Sequence, residues 1–269
     1  MNTLKKIGQI LLCPIPMIVM LLVQVICTSV CMVVLAIAVG PDTFQTVFFD
    51  HYTAFLLLIQ VLSLIIFGVW YYVAYCLRKP LPRPGDHFTR KDVGLLLLLG
   101  LGLYCVISMF MIAASYLAPD LMAEYEALIE ESGLADLTLI STLATLILAP
   151  LSEELVFRGI THKLASKAFG SFWAANIVQA LLFGIAHLNW IQGIYAFVLG
   201  LVLGYVCYKC RTLYAGILLH LSFNFFGTYL AMLLGYVPLP ELATSIILFV
   251  IGLPITWLCL TRIQPKLSS

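Results

Sequence analysis

The chain has 269 residues, 62% of them hydrophobic and 10% charged, with a mean hydropathy of +1.07 and a net charge of +1. Soluble domains carry roughly 25% charged residues, so this composition excludes a soluble globular domain. The near-zero net charge argues against a nucleic-acid partner.

A membrane span needs about 20 apolar residues. Eight segments reach or approach that length, near 9–38, 53–77, 93–118, 137–157, 172–188, 190–208, 213–235 and 243–261. The expected fold class is all-α, a polytopic membrane bundle of about eight transmembrane helices in which residues 1–269 form one domain. The first span runs long and has no small-residue cleavage site after a short apolar core, so it reads as a retained anchor. Pro14 and Pro16 predict a kinked or interfacial start to it. The Pro-rich segment from Lys79 to Gly85 predicts an extended loop. The acidic stretch from Pro119 to Asp136 predicts a short amphipathic helix at the interface. The fifth segment is short and polar. Gly200-Leu-Val-Leu-Gly204 in the sixth is a GxxxG pattern, which lets helices approach closely and predicts internal packing.

The charges set the topology. With the N-terminus inside, the inside pieces hold Lys5, Lys6, Arg78, Lys79, Arg83, Arg90, Lys91, Arg158, Lys163, Lys167, Lys209, Arg211, Arg262 and Lys266, all fourteen basic residues. The outside loops hold acids instead, among them Asp42, Asp120, Glu126, Asp136 and Glu241. This separation predicts an N-in, C-in arrangement by the positive-inside rule. The eight cysteines lie mostly in apolar runs and read as small hydrophobes. Cys207 and Cys210 form a CxxC at a helix end with no second pair, which disfavours a metal or redox role.

Of thirteen acids, only Glu153 and Glu154 lie within an apolar span. Charge in a bilayer is expensive and marks function. Glu154 and Arg158 are four apart and share a helical face, so they pair at the helix end. Glu153 is rotated about 100° away and has no partner nearby in sequence. His187 follows Phe183 by four residues; an interfacial histidine beside Trp190 is the competing reading. His220 and Asn224 also share a face, either as part of a site or as an interhelical polar clamp. His162 reads as exposed. Together, Glu and His are general bases, and His and Asn are oxyanion donors. HExxH, GxSxG and GxGD motifs are absent, so base-activated water is the remaining chemistry. By residue counting His187 lies about 20 Å from the inside end of its span. It meets Glu153 and His220 only if the fourth helix continues past Arg158 or the fifth span sits shallow.

Glu153-Glu154-x-x-x-Arg158, Phe183-x-x-x-His187 and His220-x-x-x-Asn224 resemble the three ordered motifs of the CPBP family. That family comprises type II CAAX prenyl endopeptidases and bacteriocin-processing or immunity (Abi) proteins. The resemblance spans roughly residues 150–225, within a catalytic core of about 137–235, with accessory spans in 9–118. It implies that Glu153 activates water with His187 assisting. It further implies that His220 and Asn224 stabilise the oxyanion, and that Glu154 and Arg158 support them. The implied activity is that of an intramembrane endopeptidase cutting a membrane-associated peptide or protein. No cofactor is expected, with zinc bound by two His and a Glu as the alternative; Asn is a poor zinc ligand, which favours the metal-free reading. A cavity opening toward the cytosol is expected. The basic loops and small size fit a bacterial plasma membrane, where prenylated CAAX substrates are not expected. The competing function is a non-enzymatic membrane regulator or immunity protein. A transporter is a third reading, but no inverted repeat supports it.

Overall fold

The computed structural model describes residues 3–77, 89–131 and 138–264, and all regular structure among them is helical. In chain order the helices are α1 (Thr3–Leu11) and α2 (Ile15–Val39), then α3 (Phe44–Asp50) and α4 (Tyr52–Cys76). They continue with α5 (Arg90–Leu117), α6 (Pro119–Glu131) and α7 (Leu139–Phe169). The last four are α8 (Phe172–Ala186), α9 (Trp190–Cys210), α10 (Leu213–Leu234) and α11 (Glu241–Arg262). The chain is a multi-pass helical membrane protein. Among the described residues, seven stretches are long and apolar enough to cross a membrane: Leu4–Val39, α4, α5, α7, α9, α10 and α11. The eighth expected segment, α8, has 15 residues, or about 22 Å of helix against a hydrocarbon core of about 30 Å.

Local chemistry explains most boundaries. Pro14 and Pro16 separate α1 from α2 with a turn at residues 12–14, as the sequence predicts. Thr89 and Asp92 form a reciprocal capping box at the start of α5. Thr138 and Ser141 do the same for α7. Gly170, at φ +68°, ends α7 in the left-handed conformation that favours glycine. The acidic stretch after Pro119 is helical to Glu131. The Pro-rich loop with Arg78, Lys79 and Arg83, together with Asp136 and Lys266, lies outside the described residues.

α7 is the centre of the bundle. It packs against α2, α4, α8 and α10, while α5 is clasped between α10 and α11. Two stretches of α7 widen to π-helix, Leu143–Leu148 and Leu155–Thr161, and flank the α-helical Ala149–Glu154. Phe157, Ile160, Phe183, Leu199, Leu203 and Leu219 form the fully buried core around it. Gly200 and Gly204 do pack internally, against α8. A methyl group on Gly204 would collide with Asn176, and one on Gly200 would sit 3.1 Å from Ala180. The polar residues of α8 serve this contact: Gln179 donates to the Gly200 carbonyl (2.9 Å) and Asn176 to the Leu201 carbonyl (3.0 Å).

Two expectations are corrected. The fourth span does not stop at 157 but continues unbroken to Phe169, which removes the depth mismatch between His187 and the carboxylates. His162 is not exposed: it is half-buried, with its ring 5.6 Å from that of Phe172, because the extension of α7 turns it toward α8.

Candidate active site

Glu154 is the fully buried hinge of the site. Its Oε1 accepts from Arg158 Nη1 at 2.7 Å and from His220 Nδ1 at 3.0 Å. A carboxylate only accepts, so Nδ1 of His220 carries the proton and Nε2 is the atom left for chemistry. Space for this carboxylate comes from Gly216 on α10, where a methyl group would lie 2.6 Å from Glu154 Oε2 and 2.5 Å from Cys207 Sγ. Cys207 and Cys210 form no disulfide.

Glu153, one residue earlier, points elsewhere. Its side chain is 21% exposed, against 0% for Glu154, and its Oε2 lies 3.7 Å from His220 Nε2. That gap is longer than a hydrogen bond, so both atoms retain capacity for a water or a substrate atom. The pairing of Glu154 with Arg158 is as the spacing predicts, while its hold on His220 Nδ1 is an addition of the structure; Glu153 stands partly open.

His187 follows the C-terminus of α8. Its Nδ1 donates to the Phe183 carbonyl at 2.8 Å, which leaves Nε2 as the acceptor in the neutral ring. It lies within electrostatic range of Glu153, His220 and Arg158. Phe183 joins these groups: its ring sits 4.9 Å from that of His187, 5.7 Å from that of His220 and 4.3 Å below the Arg158 guanidinium. The quadrupole of the ring stabilises the cation there. Asn224 shares a face with His220, and its Nδ2 donates to the Thr145 carbonyl of α7 at 3.2 Å. All six sequence-predicted residues therefore lie on α7, on α10 or at the end of α8, facing one region.

A cavity of about 710 Å³ adjoins it, lined by Asn224, Phe223, Thr145, Tyr195, Tyr125 and Glu126 among others. Its lining includes residues of the acidic α6 and of the start of α11, at the end of the bundle away from the end of α9 and the start of α10. Tyr195 of α9 is a residue that motif reading missed. Its hydroxyl interacts with those groups of Tyr125 and Gln192 that face it, and it lies within electrostatic range of Glu153. Burial raises the pKa of the Tyr125 phenol, an effect partly offset by Tyr195, so Tyr125 is a neutral hydroxyl. No sequence signal marks Tyr195, because its neighbours in space come from other helices.

Among the described residues no three His, Cys, Asp or Glu side chains converge at metal-ligand spacing. The Nδ1 atoms of both histidines are engaged by a carbonyl and a carboxylate, which leaves each Nε2 facing the site.

Residues 135–226 match a family model. It is that of the Rce1-like proteins, described as type II CAAX prenyl endopeptidase Rce1-like. The matched segment covers about a third of the chain and holds α7 to most of α10, including every residue of the candidate site. The Rce1-like match supports intramembrane protease activity of the CAAX type, and it agrees with the CPBP resemblance of the three motifs. No curated protein and no solved structure matches the chain.

Proposed function

We propose that the chain is an intramembrane endopeptidase that hydrolyses a peptide bond of a membrane-associated peptide or protein with water activated by Glu153. The observation that carries this reading is the convergence of Glu153 Oε2 on His220 Nε2 at 3.7 Å, with the histidine held from behind by Glu154. A water placed between Glu153 and the scissile carbonyl loses its proton to the carboxylate as it attacks. His187, within range of Glu153, assists that base. The new oxyanion is stabilised by the Asn224 amide hydrogen not given to Thr145 and by Nε2–H of a His220 that enters the step as imidazolium, its Nδ1–H held by Glu154, and keeps both protons throughout. Glu153 then returns the proton to the leaving amine. Glu154 and Arg158 act through His220 as its brace. No metal is assigned a step. The membrane is proposed to be a bacterial plasma membrane, with both termini inside and substrate admitted at the acidic, outer end of the bundle.

The mutual pairing of Glu154, Arg158 and His220 also suits a polar packing core, so a non-enzymatic membrane regulator is the second reading. Peptides released from membranes of cells expressing wild-type or Glu153→Gln protein distinguish the two. Wild-type-specific cleavage products are expected. Identical peptide profiles and an unchanged cellular phenotype, at equal membrane insertion, would sink the peptidase.

A further inference from the structure

A second cavity, of about 350 Å³, lies at the opposite, basic end of the bundle, where the ends of α4, α7 and α9 meet the start of α10. Its cations are Arg158, Lys163 and Arg211, and no carboxylate lines it among the described residues. Arg158 is 4% exposed. It gives Nη1 to Glu154 and leaves Nε and Nη2 buried without a hydrogen-bond partner, as is His162 Nε2 on the same wall. Buried donors such as the two guanidinium nitrogens are rare in folded proteins and mark a missing acceptor. The Lys163 ammonium is held over the rings of Tyr71 (4.3 Å) and Tyr75 (4.2 Å) and donates to the Tyr71 hydroxyl at 3.2 Å. Arg211 closes α9 in a left-handed conformation, φ 54°, with its side chain exposed.

We propose that this cavity binds the phosphate of an anionic lipid headgroup. A phosphate oxygen is the acceptor that the free edge of a guanidinium recognises, and Arg158 presents such an edge on this wall. The volume suits a headgroup and not an acyl chain. The surroundings place it at the bilayer interface. Tyr71, Tyr75 and Tyr208 line it, and tyrosines concentrate at that depth. Tyr208 stacks on Phe172 (4.1 Å), and Trp173 stacks on Tyr205 (6.2 Å). Trp173, Ile177 and Leu181 then continue along α8 at four-residue spacing, each at least half exposed. That stripe gives an acyl chain a track leading from the cavity into the hydrocarbon, which a free phosphate does not need.

The full-length protein in an uncharged detergent tests this directly. Thermal unfolding and native mass spectrometry are followed with short-chain phosphatidylglycerol, phosphatidylcholine or inorganic phosphate. Phosphatidylglycerol is expected to raise the melting temperature and remain bound one to one; phosphatidylcholine is expected to do neither. The double variant Lys163→Gln/Arg211→Gln should bind phosphatidylglycerol about thirtyfold more weakly. Should it fail to fold, the exposed Arg211→Gln alone should weaken binding about fivefold. Lys209→Gln, on the same face but outside the cavity, should bind as wild type. Equal protection by phosphatidylcholine, equal protection by phosphate alone, unchanged binding in the Arg211→Gln variant, or an equal loss in Lys209→Gln overturns the proposal.

Discussion

In the first span, Leu4–Val39, 6% of the most apolar stretch is buried inside the protein; in α7 the figure is 39%. The first is apolar all round and turns Val25, Val33 and Ile37 outward, Ile37 with 82% exposure. α7 is less apolar, yet it buries Glu154, Arg158 and Thr161 almost completely. In water the order would be reversed, because apolar burial drives folding there. Lipid tails are as apolar as Leu, so helices in a bilayer associate through close packing and polar contacts. The comparison teaches that, in this chain, buried polar residues mark the span at the centre of the bundle, while a span without them is left largely exposed.

Variants along the two helices sharpen or break that contrast. The largest effect is expected at the open carboxylate of α7: Glu153→Gln should lower peptide hydrolysis about 10²–10⁴-fold with an unchanged circular dichroism spectrum and melting curve. Unaltered turnover of a cleaved peptide would remove Glu153 from the chemistry. Next, Glu154→Leu leaves Arg158 buried without its carboxylate. Stability in mixed micelles should fall by about 3–5 kcal/mol, and an unfolding midpoint like that of the wild type would show that the pair is no brace. Tyr195→Phe, one helix away, removes only a hydroxyl. A fall in rate of about five- to tenfold, the worth of a neutral hydrogen bond near 1 kcal/mol, is expected at unchanged stability; an unchanged rate makes Tyr195 part of the cavity wall alone. The smallest effect belongs to α2, where Ile37→Ala should change stability by no more than about 0.5 kcal/mol. A larger loss there would mean that this face contacts protein and not lipid.

How much was legible in the sequence follows from the same contrast. All eight apolar segments are helices, and the proline break between α1 and α2 and the helical α6 lie where composition put them. The six motif residues face one region because i, i+4 spacing survives folding. What stayed hidden depended on neighbours distant in sequence. The continuation of α7 past Arg158 is one of two alternatives that the sequence leaves open; what it does not show is that Lys163 and Lys167 lie over the rings of Tyr71 and Tyr75 of α4. Tyr195 looks like any intramembrane aromatic until Tyr125, seventy residues earlier, meets it. The lining of the larger cavity depends on the packing of α5, α6 and α11, which no motif reports.

The two π-helical stretches of α7 have a consequence for the chain's tolerance of length change. A π-turn holds one residue more than the α-helix around it, so it can lose that residue and relax to ordinary α-helix without turning the segments on either side. Single-residue deletions within Leu143–Leu148 should therefore be absorbed where they occur. The same deletion within Ala149–Glu154 has no slack to draw on and rotates everything beyond it by about 100°, carrying Arg158 away from Phe183. A deletion scan along α7 should thus alternate between tolerated and disabling, and its tolerant positions would reveal where residues can be gained or lost in the descent of such a chain.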